Sequence, residues 1–311
     1  MKALVVSGGG SKGSFAGGII EFLKERGNDW NFYAGTSTGA LIIPMVALNQ
    51  ISELKRAYTS ITPEKIFKLN PFFIKSIKNG EIKFGINHFS IAKNLVVNKS
   101  KSLGDSSNLR KTLEEFLTED SYSILRDSDK EVIVSVTNLT TESVEFKSIH
   151  SETYSDFLDW MWASGSATPF MSVVEKNGYD YVDGGVLRFI PLIEAIQSGA
   201  TEIDAIVLMQ ENEDGKIEKV RNVLHLMSKM IKLFLVSRKR EDSDLVKLHK
   251  SIDDDREIKL NLYYTPRKMT NNPYIFDTET MKSWWCEGYN LAEEGPTRQY
   301  ILTKRKVIKI K

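Results

Sequence analysis

The chain has 311 residues, 42 basic and 41 acidic, for a net charge of +1, and a single cysteine, Cys286. That balance excludes a globally basic nucleic-acid binder and an acidic tail protein, and one cysteine excludes an intrachain disulfide or a cysteine cluster for zinc or iron–sulfur. With 41 % hydrophobic and 27 % charged residues, and only 8 prolines and 20 glycines, the composition is that of a soluble chain with a sizeable core, not a disordered or collagen-like one.

In chain order, Leu4–Ser7 reads as a short apolar strand that runs straight into glycines. The apolar run Ala3–Val6 is far too short for a signal-peptide core, so a cytoplasmic protein is expected, with peripheral membrane contact left open. Ser14–Arg26 reads as a helix with Phe15, Ile19, Phe22 and Leu23 apolar; Trp30–Ala34 is a second strand and Ala40–Leu48 a second helix. The apolar stretch around that helix is broken by Pro44 and reaches about half of the ~20 residues that span a bilayer. Glu131–Thr137 and Ser143–Ile149 read as strands joined around Asn138, Tyr154–Ala163 as a helix, Tyr179–Val182 as a strand end, Leu192–Ser198 as a helix and Ile203–Met209 as a buried strand. This alternation predicts helices packed on a mostly parallel sheet, one domain over residues 1–311 with its core in about 1–210.

Two segments read as additions to that core. Residues 61–102 mix lysines with Phe67, Phe72, Phe73, Phe84 and Phe89 without a clear period, and are expected to be a lid-like insertion or an ordinary one with a satellite core. A helical extension is expected over 217–311, led by an amphipathic helix Ile217–Arg240 whose stripe is Ile217, Val220, Leu224, Met227, Ile231 and Phe234. That stripe is expected to pack on the sheet. Each segment carries six more basic than acidic residues when counted over 61–101 and 217–240, which suits an interface with anionic head groups. The basic end, Lys304–Lys311, reads as a solvated tail or an edge strand.

Three constellations carry chemistry. Gly35-Thr36-Ser37-Thr38-Gly39 is a G-x-S-x-G match between a strand and a helix, where flanking glycines let a strained turn expose the serine hydroxyl. The plainer reading is a helix N-terminus capped by one of its hydroxyl residues. Gly8-Gly9-Gly10-Ser11-Lys12-Gly13 closes the first strand and opens the first helix, leaving backbone N–H groups aimed at an anion. It also fits G-x-G-x-x-G, but Asp29 precedes the second strand instead of ending it, so the ribose-binding carboxylate of a dinucleotide site is missing. The Walker spacing fails as well, and a transient oxyanion suits the glycines better. Asp183-Gly184-Gly185 follows a strand, and is either a simple turn or a base held at a strand end. The four histidines, His88, His150, His225 and His249, have no glycine or strand-end context, which makes a histidine triad the weaker arrangement and a direct Ser37–Asp183 pair the stronger.

Those three motifs in that order, with Ala163-Ser164 and Pro169-Phe170 between them, resemble the patatin-like phospholipase family over about Ala3–Met209. The resemblance implies a three-layer α/β/α fold with a mostly parallel central sheet, Ser37 as nucleophile on an elbow set by Gly35 and Gly39, and Asp183 as its partner. It implies an oxyanion hole in the stretch Gly8, Gly9, Gly10, Ser11 and Lys12, drawn from the Gly9, Gly10 and Ser11 amides with Lys12 beside them. The implied activity is hydrolysis of lipid acyl esters, phospholipase A or lysophospholipase-like, with no metal, no cofactor and no nucleic-acid partner. A thioesterase, an acyltransferase or a non-catalytic lipid-binding protein on the same scaffold are the alternatives. One departure stands out: Arg188-Phe189 occupy positions where members often carry asparagines, which bears on pocket shape.

Overall fold

The computed structural model describes residues 1–78, 81–212, 219–220, 223–270, 272–274 and 276–311, with the backbone alone at 77–78, 81–83, 223–225 and 227–228. Twelve strands are present among them: β1 (Lys2–Val6), β2 (Phe32–Thr36), β3 (Phe72–Lys78), β4 (Glu81–Ile86), β5 (Glu131–Asn138), β6 (Ser143–Ser148), β7 (Val174–Lys176), β8 (Tyr179–Asp183), β9 (Glu202–Val207), β10 (Ile258–Tyr264), β11 (Arg298–Leu302) and β12 (Val307–Lys309). Ten form one mixed sheet in the order β12-β11-β10-β9-β1-β2-β5-β8-β7, with β6 also on β5. Its five central strands, β10 to β5, run parallel, and antiparallel strands close both edges.

The central strands are mostly apolar on both faces because helices cover both, with Asp204 and Asn261 as a buried polar pair between β9 and β10. On β1, Leu4 and Val6 enter one core with α1 (Gly13–Glu25), α2 (Thr38–Ala47) and α3 (Ile51–Ser60), while Ala3 and Val5 enter the other with Leu192, Ile196 and Leu248. That two-sided burial explains its uninterrupted apolar run. Helix α2 continues through Pro44. The fold is thus a three-layer α/β/α arrangement with a parallel centre.

The segment after residue 217 is not simply helical. It adds β10, β11 and β12 to the sheet, and Lys304–Lys311 includes the edge strand β12. Its helix Thr278–Glu293 lies so close to α1 that a Cβ on Gly18 would stand 1.9 Å from the Trp285 carbonyl oxygen. Trp285 is buried and donates its indole N–H to Glu21 at 2.6 Å. Helix Val223–Asp242 also departs from expectation. Phe234 is exposed, and the buried residues include Val236, Lys239 and Asp242. This helix is seated by polar contacts with backbone: the Lys239 ammonium donates to the Gln210 and Glu211 carbonyls at 2.7 and 3.0 Å. Of the predicted stripe, Ile217 and the side chains of Leu224 and Met227 lie outside the described residues. No helix among the described residues is long and apolar enough to cross a membrane.

Candidate active site

Strands β1 and β2 end side by side where the sheet's connections change direction, since β1 is flanked by β2 on one side and β9 on the other. A crevice opens at such a point in an open parallel sheet. The glycine loop leaves β1 there and Ser37 leaves β2.

Ser37 has φ 55° and ψ −125°, a backbone conformation that non-glycine residues rarely adopt. The turn is forced by its neighbours. A Cβ on Gly39 would stand 2.1 Å from the Val6 carbonyl oxygen, and one on Gly35 2.5 Å from the Gly39 carbonyl carbon. The Ser37 N–H donates to Ser164 Oγ at 2.9 Å, and its carbonyl accepts from Ala40 N–H at 2.9 Å to start α2. The side chain therefore stands at the N-terminus of a helix, where the dipole favours developing negative charge.

Register brings Asp183 to the same level. Thr36 pairs with Ser135 on β5, and the next residue of β5, Val136, pairs with Asp183 at the end of β8. Two strand spacings of roughly 5 Å separate the Ser37 and Asp183 positions. Gly184 permits this closeness, because a Cβ there would meet Ser135 O at 2.3 Å. Asp183 Oδ1 accepts the Gly185 N–H at 2.7 Å, and its own N–H donates to the Ser166 carbonyl at 3.1 Å. Burial pushes the Asp183 carboxyl up to about 6, against the Ser37 hydroxyl and the Gly185 amide, which both favour the charged form. The Ser37 hydroxyl thus lies near enough to Asp183 to favour its charged form, and both residues are buried.

The glycine loop wraps over Ser37. A Cβ on Gly8 would lie 3.2 Å from Ser37 Cβ. The Gly8 amide donates to the Phe189 carbonyl at 3.3 Å and the Ser11 amide to the Pro273 carbonyl at 2.9 Å. Lys12 donates its amide to Gly9 O at 3.3 Å and its ammonium to the Leu208 carbonyl. Among the described residues nothing accepts from the Gly9 or Gly10 amides, so the five-residue stretch narrows to those two uncommitted donors. Gly10 needs its freedom, with φ at +59° and a Cβ position 2.2 Å from Pro273 O.

Arg188 and Phe189, the departure noted in the sequence, have definite work here. Asp242 accepts the Phe189 and Ile190 N–H groups at 2.6 and 3.1 Å and pairs with Arg188 at 3.2 Å, while Arg188 also meets Glu194 at 3.3 Å. Burial raises the Asp242 pKa, and the two amides and Arg188 oppose the rise. Helix Val223–Asp242 thereby holds the loop whose carbonyl receives the Gly8 amide.

An apolar cavity opens from Ser37 and Gly10 and runs along α2 past Thr38, Leu41 and Met45 to Leu113 and Leu117. Its polar points include the Thr38 and Tyr58 hydroxyls, bonded to each other at 2.6 Å. Two histidine rings are spent elsewhere: His150 Nδ1 is 2.8 Å from the Arg126 carbonyl and His249 Nδ1 3.2 Å from that of Thr303. His88 is exposed and does not line the cavity, and the side chain of His225 lies outside the described residues. Sequence reading gave no role to Ser164, Pro273 or Tyr274; the segment with Ser164 was noticed, whereas nothing in Asn272-Pro273-Tyr274 forms a motif.

The patatin-like phospholipase family model matches residues 4–196, more than half of the chain. The uncharacterized protein YjjU of Escherichia coli (strain K12) is 27 % identical over 207 residues, 66 % of this chain and 51 % of its own length. The chain therefore spans about half the length of the curated relative it matches. The crystal structure of VipD from Legionella pneumophila aligns with a TM-score of 0.47 at 16 % identity, over 97 % of this chain and 68 % of that one. With a family match of that length, which takes in both Ser37 and Asp183, the chain belongs to the patatin-like phospholipase family.

Proposed function

We propose that the protein hydrolyses carboxylic esters of lipids in two acyl-transfer steps, with Ser37 as nucleophile and Asp183 as general base. The observation that carries this reading is that a strained serine lining an apolar cavity stands beside a buried carboxyl and a loop with two uncommitted amides. Ser37 Oγ attacks the ester carbonyl while its proton passes to Asp183. The Gly9 and Gly10 amides receive the oxyanion, each well-aimed donor lowering the barrier by roughly 3–4 kcal/mol. The alcohol leaves with a proton, and water attacks the acyl-serine with Asp183 again accepting the proton.

The cavity supports an acyl substrate. From Thr38 to Met45, α2 advances about 10 Å, room for roughly eight extended carbons beside apolar walls. A carboxyl with a pKa of about 6 is ionised near neutrality yet basic enough to take a proton. The test is a panel of phospholipids, lysophospholipids and monoesters assayed with wild type, Ser37→Ala and Asp183→Asn, together with fluorophosphonate labelling. Wild type is expected to release fatty acid and to be labelled at Ser37, and both variants to release none. Release that survives Ser37→Ala overturns the assignment; acyl transfer to an acceptor other than water would appear in the product analysis.

A further inference from the structure

Residues 88–97 reverse the usual order of burial. In the short helix His88–Ala92 and the wider turn Lys93–Val97 that continues it, the buried residues are the polar Ser90 and Asn94. Phe89 is 79 % exposed, Val96 74 %, Val97 71 % and Leu95 41 %. The polar side chains and backbone tie the segment down: Asn94 Nδ2 donates to the Ser102 carbonyl at 2.9 Å, and Asn87 Oδ1 accepts the Ser90 N–H at 3.1 Å. What remains outside is an exposed apolar tip.

Both ends of the segment are tied to elements that reach the cavity of Ser37. Asn87 N–H donates to Pro71 O at 2.9 Å and Leu103 N–H to Pro169 O at 2.8 Å, and Leu103 packs on the cluster of Phe72, Phe170 and Tyr274. Tyr274 also lines the cavity that holds Ser37. Ile231 joins that cluster from helix Val223–Asp242, whose Met230 and Leu233 are 61 % and 69 % exposed. On β3, next to buried Phe72, Phe73 is 47 % exposed with the Lys75 ammonium 5.9 Å from its ring.

Within this stretch of chain the charge has one sign. No acidic residue occurs between Glu81 and Asp105, and exposed Lys93 and Lys99 flank the apolar tip with no ion pair to a described residue. The excess is smaller than a sequence count suggests, since Lys65, Lys68 and Lys101 pair with Glu115, Asp105, and Glu175 with Asp180. Lys78 and Lys83 have side chains outside the described residues. We propose that this tip is a docking surface for an anionic lipid interface. Phe89, Leu95, Val96 and Val97 enter the boundary between head groups and acyl chains, and Lys93 and Lys99 meet lipid phosphates. A tip of ten residues suits a lipid boundary better than a protein partner, because stable protein interfaces use about 20–30 residues a side. The inference deepens the lipid-esterase reading, and rests on it, in naming the physical state of the substrate, an ester held in an anionic lipid surface.

The experiment is co-sedimentation of the full chain with vesicles of phosphatidylcholine alone and of phosphatidylcholine with phosphatidylglycerol, alongside hydrolysis of a soluble short-chain nitrophenyl ester. The variants are the triple Phe89→Ser, Val96→Ser, Val97→Ser and the double Lys93→Glu, Lys99→Glu. Wild type and Ser37→Ala are expected to bind the anionic vesicles. The triple variant should lose about tenfold or more of that binding, and the double variant the preference for anionic lipid, while both hydrolyse the soluble ester as wild type does. Wild type that fails to sediment, or a triple variant that sediments equally well, overturns the proposal, as does a self-associating wild type made monomeric by the triple substitution without vesicle binding. Vesicle binding by a wild type that cleaves no ester leaves the surface standing and removes the catalytic reading instead.

Discussion

Replacing Asp183 by asparagine should remove ester hydrolysis and at the same time stabilise the protein. Burial holds the folded carboxyl's pKa at about 6, whereas an unfolded aspartate gives up its proton near 3.8. Between those values the folded state carries more protons than the unfolded one, so stability falls as pH rises through this window and stays low above it. A displacement of about two pH units corresponds to about 3 kcal/mol, with no discount for solvent screening at a buried group. Asparagine has no charge to desolvate, and its Oδ1 can still accept the Gly185 N–H that lies 2.7 Å from the carboxylate. At pH 8 the variant is expected to be more stable by up to about 3 kcal/mol, or about 6 °C in melting temperature. The advantage should shrink to nothing as pH falls towards 4. Thermal melts of both proteins across pH 4 to 8, followed by circular dichroism, measure it directly. A difference that does not change with pH, or a variant less stable than wild type at pH 8, would refute desolvation as the origin of the raised pKa. In wild type, protonation of the proposed base should make kcat/KM fall tenfold per unit below about pH 6 and level off above it.

Ser164→Ala leaves the Ser37 N–H without its acceptor at 2.9 Å, which should cost about 1–3 kcal/mol and lower kcat more than it changes KM, read from melts and steady-state kinetics. Met45→Trp places bulk in the cavity eight residues along the chain from Ser37, and a chain-length series of esters should show long acyl chains losing turnover while acetyl and butyryl esters keep theirs. Gly18→Ala pushes a Cβ to 1.9 Å from the Trp285 carbonyl oxygen, so α1 and helix Thr278–Glu293 must separate; the melting temperature should drop by several degrees or the chain fail to fold. Alanine at His88, His150, His225 or His249 should leave ester hydrolysis largely intact, and loss through any single one would point to a triad.

The glycine loop, the elbow and the Asp-Gly-Gly turn were legible in the residues because each answers a local steric demand. Gly39 faces a carbonyl oxygen that leaves no space for a side chain, and Gly10 sits at positive φ; such positions admit few residue types and so mark the sequence. Strands β1, β2 and β9 were equally plain, since burial on both faces writes a largely apolar run, broken in β9 by Asp204, although observed boundaries moved by one or two residues. The C-terminal strands were not plain: β10 joins β9 across more than fifty residues, and β11 and β12 are half exposed, so their pairing leaves no local pattern. The amphipathic stripe of helix Val223–Asp242 misled for a related reason. Periodicity reports which residues are apolar, not which carbonyls and amides await them, and here Lys239 and Asp242 found partners that drew them inside.

By itself, then, the sequence determined the chemistry on offer: a serine on a strained turn, a loop of small residues before a helix and an aspartate at a strand end. Tertiary structure decided which of those groups are free to act. Phe189 and Pro273, remote from the glycine loop along the chain, occupy the Gly8 and Ser11 amides and leave those of Gly9 and Gly10 uncommitted. Sheet register set Asp183 level with Ser37, and burial at that level raised its pKa. Hydrogen-bond occupancy, register and desolvation depend on neighbours that only the fold supplies, whereas backbone sterics act within a few residues and are written where they act.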